Sequence, residues 1–244
     1  MIADPQTGPP PGHVAVCVLA GGAGRRLGGR DKALLDVGDG RPLLARVLDR
    51  LAPWPGPVLL SVHTAGDRSP LAKAAGEGRV DAVVTDAVTD GQGRAGPLAG
   101  LLAGLDAMAA REPAVSWLVT VPTDLPFVPP DLLARLWHAR AVRAAPGAYA
   151  VCGGRRHPLV ALWPVSIGGD LRAALRDEGV RRVGQWAARC RLTEARWPDL
   201  SPDPFLNIND PESLAAARTL VSADTGARAL PSQGFPLIGG GLRP

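Results

Sequence analysis

A glycine-rich loop crowded with cations is the first feature of this sequence that points to chemistry. Five of the nine residues 21–29 are glycine, Arg25 and Arg26 lie among them, and Lys32 follows. Glycines permit positive φ and close backbone approach, and successive N–H groups form an anion-binding nest. A lysine ammonium is a compact point charge suited to phosphate, and only Lys32 and Lys73 occur in the chain. The loop therefore predicts phosphate binding.

Two well-known phosphate-binding loops do not fit these residues. The dinucleotide fingerprint G-x-G-x-x-G would need glycine at position 27 after Gly22 and Gly24, but Leu27 stands there. The P-loop needs G-K-[ST] after four spacer residues, and here Arg30-Asp31 follows the second glycine instead. Hydride-transfer cofactors and γ-phosphate hydrolysis are therefore disfavoured.

Two carboxylates follow predicted strands. Asp86 comes after the apolar run 80–85, and Asp124 comes after 116–121, just as the glycine loop comes after 14–20. Parallel α/β sheets bind ligands beyond the carboxyl ends of their strands, so we expect these three features in one crevice. Mg²⁺ prefers one or two protein carboxylates together with phosphate oxygens and water, which suits Asp124. Each aspartate taken alone is also typical of a turn or a helix cap.

The alternation of apolar runs with helical patterns predicts the fold. Strands are expected at 14–20, 58–62, 80–85, 116–121, 148–152 and 159–163, and helices at 42–52, 69–76, 97–105, 129–144, 166–177, 180–189 and 211–221. This order predicts an α/β protein with one doubly wound, mostly parallel, Rossmann-like sheet. We expect a single domain over 14–221, with a disordered segment at 1–13 and a loose Gly/Pro-rich tail at 222–244.

Composition limits the other classes of function. The net charge is +4 and the pI about 9.5, but the basic residues are dispersed and aromatics make up 4%, which disfavours a nucleic-acid-binding module. Cys17, Cys152 and Cys190 are far apart and form no C-x-x-C, which disfavours a zinc site or disulfides. The sequence shows no apolar run of 18 residues and no export signal, so we expect a cytoplasmic protein that binds neither membrane nor nucleic acid.

Several spaced motifs resemble one family. The pattern L-A-G-G-x-x-x-R-x-G-x-x-D-K at 19–32 resembles the signature of nucleotidyltransferases, and its Gly21-Gly22 pair is most similar to the molybdenum cofactor guanylyltransferase family. Further matches are G-P-L-A-G at 96–100, P-x-D-x-P at 122–126, H-P-x-[IV]-A-L at 157–162 and F-x-N-x-N-x-P-E at 205–212. The resemblance covers 14–220. One departure is His63-Thr64, where the family usually has Asn-Arg.

The resemblance implies a nucleotide-diphospho-sugar-transferase-like fold and a Mg²⁺-dependent reaction. In that reaction GMP passes from GTP to the terminal phosphate of molybdenum-molybdopterin, and pyrophosphate is released. The implied catalytic residues are Arg26, Lys32 and Asp124, with Asp124 also the metal ligand. The implied nucleotide-binding residues are Leu19, Ala20, Gly21, Gly22, Lys32, His63, Asp86, Gly96, Pro97 and Asp124. The implied acceptor-binding residues are His157, Arg182, Asn207 and Asn209.

Some choices stay open from the sequence. Asn209 fits either the acceptor or the metal shell, and Asn207 fits either acceptor binding or fastening of its own loop. CTP, or a sugar or alditol phosphate acceptor, would use the same chemistry. A non-catalytic nucleotide-binding regulator is a further alternative, although the presence of both Lys32 and Asp124 argues against it. Molybdoenzymes and cofactor-insertion proteins are the implied protein partners.

Overall fold

The structure, a computed structural model, describes residues 8–10, 12–20, 23–24, 30–64, 66, 68–86, 96–111 and 115–228. The strands are β1 (Val14–Ala20), β2 (Ala23–Gly24), β3 (Arg30–Asp31), β4 (Val58–Val62), β5 (Ala82–Thr85), β6 (Trp117–Pro122), β7 (Ala148–Cys152), β8 (Arg155–Pro164) and β9 (Thr193–Trp197). The α-helices are α1 (Leu43–Leu51), α2 (Arg68–Ala75), α3 (Pro97–Ala109), α4 (Leu132–Val142), α5 (Gly168–Arg176), α6 (Val183–Arg189) and α7 (Pro211–Arg228). None of these helices is both long and apolar enough to cross a bilayer.

One seven-stranded sheet, in the order β5-β4-β1-β6-β8-β7-β9, forms the centre of the described chain. β8 runs antiparallel to both of its neighbours, and all the other pairs are parallel. The prediction of a mostly parallel α/β sheet is confirmed. The single reversal has a consequence for the site, because the amino end of β8 meets the carboxyl ends of the other strands at one edge.

The central strand explains why the sheet is covered on both faces. All seven residues of β1 are buried, and its side chains alternate between two apolar clusters. Val16 and Val18 pack in the cluster that includes α1 and α4, whereas Cys17 and Leu19 pack in the cluster that includes α3, α5 and α6. A parallel strand buried on both faces needs a continuous apolar run, and 14–20 supplies it.

A third, smaller cluster joins the end of the chain to an early segment. Ile208, Ala217 and Val221 pack against Leu35 and Val37, which follow the Lys32 turn. Helix α7 begins as predicted, because the Asp210 carboxylate accepts a hydrogen bond of 2.8 Å from the backbone N–H of Ser213. The helix continues to Arg228 and so crosses the predicted boundary at 221.

Two differences from the predicted elements lie near the site. Strand β8 begins at Arg155 rather than 159, because Gly153 and Gly154 adopt φ of +52° and +77° and close a tight turn directly after β7. Strand β9 was not predicted. It is one of the two edge strands of the sheet, and its short alternation buries Ala195 and Trp197 while Arg196 is exposed.

Two predicted helices begin later than expected. The helix expected from 129 starts at Leu132, and the prolines before it form a turn in which the Leu132 N–H donates to the Pro129 carbonyl over 3.1 Å. The helix expected from 180 starts at Val183. Gly179 has φ of +64°, and the Arg181 guanidinium donates to the carbonyls of Leu175 and Val180, so this stretch closes the preceding helix instead.

Candidate active site

Backbone contacts at the carboxyl edge of the sheet bring the strand ends together. The carbonyl of Leu19, at the end of β1, accepts hydrogen bonds from the Thr123 N–H at 3.1 Å and the Thr123 hydroxyl at 3.3 Å. The Asp86 N–H donates to the Val62 carbonyl over 3.3 Å. Asp124 and Asp86 are therefore presented at the same edge, as expected for residues at the carboxyl ends of parallel strands.

Lys32 joins three distant segments of the chain at this edge. Its ammonium lies 3.1 Å from Oδ2 of Asp124 and also donates to Oδ1 of Asn209. The Lys32 and Asp124 side chains are only 13% and 16% exposed, so the pair is shielded from water. Lys32 begins a 3₁₀ turn whose cap is Asp31, since that carboxylate accepts from the Ala33 N–H over 2.9 Å. This capped turn thus fixes the backbone from which the Lys32 side chain extends to its partners.

The surroundings of Asp124 suit a hard cation. Burial raises the pKa of the Asp124 carboxyl, and the neighbouring Lys32 ammonium and Asn207 amide act in the opposite direction. Oδ1 of Asp124 and Oδ1 of Asn207 are both buried without a hydrogen-bond partner in the described chain. Unpaired carboxylate and amide oxygens are ligands that Mg²⁺ accepts, so the residues present fit this ion. Among the described residues there is no group of three or more His, Cys, Asp or Glu side chains that could hold a metal ion by itself. A Mg²⁺ ion that also binds phosphate oxygens and water does not need so many protein ligands.

His63 and Asp86 form a second polar pair, at the ends of β4 and β5. Nδ1 of His63 lies 3.0 Å from Oδ2 of Asp86. The aspartate side chain is 7% exposed and the histidine 33%, so the carboxylate is more deeply buried than the ring. Burial raises the pKa of Asp86, while its hydrogen bond to His63 opposes the rise.

The start of α3 lies close to Asp86. Gly96 has φ of +65° and caps the helix, and Pro97 takes the first helical position, where its missing N–H costs nothing. A Cβ added at Gly100 would lie 2.7 Å from Oγ of Ser61, 3.1 Å from Cδ2 of Leu19 and 3.6 Å from Oδ1 of Asp86. Only glycine lets the helix approach so closely, and its positive N-terminal end is thereby brought to the carboxyl edge of the sheet.

His157, predicted to bind the acceptor, lies near the start of β8. Its ring stacks on Phe205 with 4.9 Å between centroids, and Trp197 packs edge-on against the same phenylalanine at 5.1 Å. Nε2 of His157 is buried and has no hydrogen-bond partner among the described residues. Burial lowers the pKa of this imidazole, which favours the neutral ring. The stack ties β8 to the loop that carries Asn207.

The two asparagines of that loop have different surroundings. Asn209 accepts from Lys32, and its backbone N–H donates to Oγ of Ser213 over 3.0 Å. Asn207 lies beside Asp124, and between the two asparagines the Ile208 N–H donates to the Asp124 carbonyl over 3.0 Å. Asn209 thus contacts the lysine and Asn207 neighbours the carboxylate, and the roles of the two amides stay predictions.

A family model for the MobA-like NTP transferase domain matches residues 16–192. A molybdenum cofactor guanylyltransferase of Rhodopseudomonas palustris (strain BisB5) is 44% identical over 208 residues, covering 85% of this chain and 94% of the relative. The enzyme of that name from Mesorhizobium japonicum is 40% identical over 217 residues, covering 87% and 98%. The chain belongs to the molybdenum cofactor guanylyltransferase family. The predicted family is confirmed.

Solved structures of proteins with low sequence identity to this chain share its fold. The molybdopterin-guanine dinucleotide biosynthesis protein A of Archaeoglobus fulgidus superimposes with a TM-score of 0.65 at 24% identity, over 86% of this chain and 99% of that one. The 4-diphosphocytidyl-2C-methyl-D-erythritol synthase of Anaerococcus prevotii gives 0.63 at 12% identity, over 86% and 96%. These likenesses confirm the predicted nucleotide-diphospho-sugar-transferase-like architecture.

The remaining residues that the family resemblance implied are placed as follows. Leu19 and Ala20 are the last, buried residues of β1. Arg182 is exposed at the N-cap of α6, and within the described chain no hydrogen bond or ion pair links its side chain to Asp124 or His157. Gly21, Gly22 and Arg26 lie outside the described residues.

Four residues that shape the site were not predicted to do so in this family member. Ser61 and Gly100 set the approach of α3, Thr123 ties β6 to β1, and Phe205 carries the ring of His157. A sequence signal was nevertheless present for three of the four. Gly100 and Phe205 end or begin recognised motifs, and Thr123 immediately precedes the predicted metal ligand.

Proposed function

We propose that this chain transfers GMP from GTP to the terminal phosphate of molybdenum-bound molybdopterin and releases pyrophosphate. The observation that carries the proposal is the Lys32 ammonium, held between the Asp124 carboxylate and the Asn209 amide oxygen. These partners come from the turn after β6 and from the loop before α7, so one cation links the nucleotide side of the edge to the acceptor side. The names of the relatives at 40% and 44% identity support guanylyl as the transferred group.

The proposed step is an in-line displacement at the α-phosphorus. An oxygen of the acceptor phosphate forms the new P–O bond, and the bond from the α-phosphorus to the oxygen that bridges to the β-phosphorus breaks. The electron pair leaves with pyrophosphate. A phosphate monoester has a second pKa of about 6 and is already anionic at neutral pH, so no general base is required. The rate enhancement then comes from positioning and from neutralising charge.

Mg²⁺ is the proposed cofactor, with Asp124 as its ligand and Asn207 as a second oxygen donor. Bound there, the ion would neutralise charge on the phosphate oxygens. The support lies in the two buried, unpaired oxygens described above. The ammonium of Lys32 would contact the triphosphate oxygens, and Arg26 would stabilise the negative charge of the departing pyrophosphate.

The other residues divide between the two substrates in this proposal. Leu19, Ala20, Gly21 and Gly22 would line the triphosphate, and Gly96 and Pro97 would direct the start of α3 toward the nucleotide. His63 and Asp86 are proposed for the nucleoside. His157, Asn209 and Arg182 are proposed for the pterin and its phosphate, with the buried, unpaired Nε2 of His157 as a polar contact.

The experiment that tests this function is pyrophosphate release in the presence of molybdenum-loaded molybdopterin. Each of the four ribonucleoside triphosphates is supplied separately with Mg²⁺, and the product is identified by mass. We expect release with GTP and the mass of the guanine dinucleotide. Release with CTP alone would overturn the base, and release only with a sugar or alditol phosphate would overturn the acceptor. Nucleotide binding without release for any acceptor would instead support a non-catalytic regulator.

A further inference from the structure

The carboxylate of Asp131 does not cap the helix that it precedes. Asp131 is the N-cap residue of α4, a position at which an aspartate side chain usually accepts from a backbone N–H of the first turn. Here it makes no such bond. Instead, Oδ1 accepts from Nε1 of Trp197 over 3.0 Å, and Oδ2 accepts from Nε of Arg135 over 2.5 Å. The carboxylate therefore holds a side chain of strand β9 rather than the start of its own helix.

The indole of Trp197 is held from two directions. Asp131 accepts from its N–H, and the guanidinium carbon of Arg135 lies 5.4 Å from the centroid of its ring. Nη1 of Arg135 also donates to the Arg196 carbonyl over 3.2 Å, which ties the same arginine to the backbone of β9. An indole has a single N–H donor, so the bond to Asp131 fixes the orientation of this buried ring.

Three rings in contact connect this indole to His157. Trp197 meets Phe205 edge-on, with 5.1 Å between centroids and an interplanar angle of 77°, and Phe205 stacks on His157 at 4.9 Å and 28°. Phe205 is fully buried, and a close-packed interior transmits a shift of one ring to the next. Nε2 of His157 makes no hydrogen bond in the described chain, so the stack, rather than this nitrogen, orients the imidazole.

The rings of this stack come from three segments that meet at the carboxyl edge of the sheet. Trp197 ends β9 and pairs with Cys152, the last residue of β7, and the same cysteine pairs with Arg155 at the start of β8. Because β8 runs antiparallel to β7, His157 lies near this edge, and Phe205 belongs to the loop before α7. The anchored stack is therefore on the side of the edge where the acceptor is proposed to bind.

We propose that Asp131 is a positioning residue for acceptor binding. Its hydrogen bond to Trp197 sets, through Phe205, the ring orientation in which His157 contacts the acceptor. The inference rests on the proposed function for the identity of the acceptor, whereas the orientation of the ring is measurable without it. Asp131 acts through the stack of rings and not by contact with a substrate.

The kinetic test removes one hydrogen bond from either side. Asp131→Ala removes the acceptor, and Trp197→Phe removes the donor but keeps an aromatic ring. The KM for molybdenum-bound molybdopterin, from pyrophosphate release at saturating GTP and Mg²⁺, should rise roughly three- to tenfold in each variant, the range of one lost hydrogen bond. The kcat and the GTP affinity, measured by calorimetry, should not change. The double variant should be no worse than the weaker single variant.

Three further variants separate positioning from charge and from packing. His157→Ala should raise the same KM, and adding Asp131→Ala to it should have no further effect, because Asp131 acts through the ring. Asp131→Asn keeps an oxygen that accepts from the indole and should retain most of the acceptor affinity. Asp106→Ala, which removes an ion pair with Arg172, is the matched control and should leave the KM unchanged. Additive losses in Asp131→Ala with His157→Ala would overturn the proposal.

A spectroscopic readout follows the imidazole directly. The chain has four histidines, so the His157 ring signals in a ¹H–¹³C spectrum are assigned from their loss in His157→Ala. Asp131→Ala keeps all three rings, so a shift of these signals toward those of an unstacked imidazole reports a changed ring orientation. Lower thermal stability with the acceptor KM and the His157 signals unchanged would overturn the proposal, because Asp131 would then only support the fold. If the wild type transfers no nucleotide to molybdopterin, the proposed function fails, and the ring signals alone decide whether Asp131 positions His157.

Discussion

The ammonium of Lys32 lies 3.1 Å from Oδ2 of Asp124, and both side chains of this ion pair are largely shielded from water. The other carboxylate oxygen is buried and unpaired in the described chain. One oxygen of Asp124 thus pairs with the Lys32 ammonium, and the other is left without a partner and could bind a metal ion. This division of the two oxygens underlies the first two predictions.

Asp124→Asn should lower turnover by at least ~100-fold, as expected when a main source of charge stabilisation is lost. Binding of Mn²⁺, followed by electron paramagnetic resonance, should weaken in parallel because the amide carries no charge. The fold should persist, since the Asp124 carbonyl keeps its hydrogen bond from the Ile208 N–H. Asp106→Asn, which breaks a surface ion pair with Arg172, is the control. Undiminished pyrophosphate release in Asp124→Asn would contradict the role of this carboxylate.

Lys32→Ala should weaken GTP binding by about 1.5 to 3 kcal/mol, the range of a charge-assisted hydrogen bond. The chain provides its own matched control, because Lys73 in α2 is the only other lysine and is exposed. Calorimetry should show a change for Lys32→Ala and none for Lys73→Ala. Equal effects of the two substitutions would mean that only the net charge matters.

Gly100→Ala should destabilise the fold by about 1 to 3 kcal/mol, the usual cost of overpacking. The new methyl would lie 2.7 Å from Oγ of Ser61, a residue that is itself buried. Gly169→Ala in α5 meets nothing within 4 Å and should be neutral or stabilise by up to about 1 kcal/mol. Urea unfolding measures both variants. Adding Ser61→Ala to Gly100→Ala should recover part of the loss, and no recovery would place the strain elsewhere.

Asp36 should make stability depend on pH. The Gly38 N–H donates to its carboxylate over 2.7 Å, and this bond, with those from Asp39 and Gly40, lowers the pKa of Asp36 below its ordinary 3.8. A folded pKa below the unfolded one means that the ionised group stabilises the fold above the unfolded value and loses this effect as the pH falls through the folded value.

The corresponding measurement compares the wild type with Asp36→Ala in urea between pH 7 and pH 3. The free energy of unfolding should differ by no more than about 1 kcal/mol at pH 7, because these hydrogen bonds are exposed to solvent. The difference should shrink once the pH drops below about 4. A difference that stays constant over the whole range would exclude ionised Asp36 as the cause.

Local patterns explain what was predictable from the sequence. The apolar run 14–20 belongs to a central parallel strand, and this environment requires such a run. Asp86 and Asp124 were expected at one edge because strands joined by helices tend to run parallel, and the structure places both there. Strand β9 escaped prediction because it is a short edge strand with one face exposed, and its two buried residues form too weak a period.

Contacts between distant residues were beyond local patterns. The His63–Asp86 bond depends on the register of β4 against β5, which neither residue type discloses. The roles of Asn207 and Asn209 depend on how their loop crosses the edge, and both residues carry the same amide. Phe205 of the same loop packs on His157, and Asn207 lies beside Asp124, so the two amides have different neighbours that exist only in the assembled fold.

The loop before α7 has a consequence for the order of events during synthesis. Lys32 and Asn209 are 177 positions apart in the chain, and the apolar contacts of Ile208, Ala217 and Val221 with the segment after Lys32 belong to the same late region. A ribosome therefore makes the lysine long before it makes the amide that receives it. A nascent chain halted between residues 32 and 209 has the cation without this partner, so this link is among the last to form.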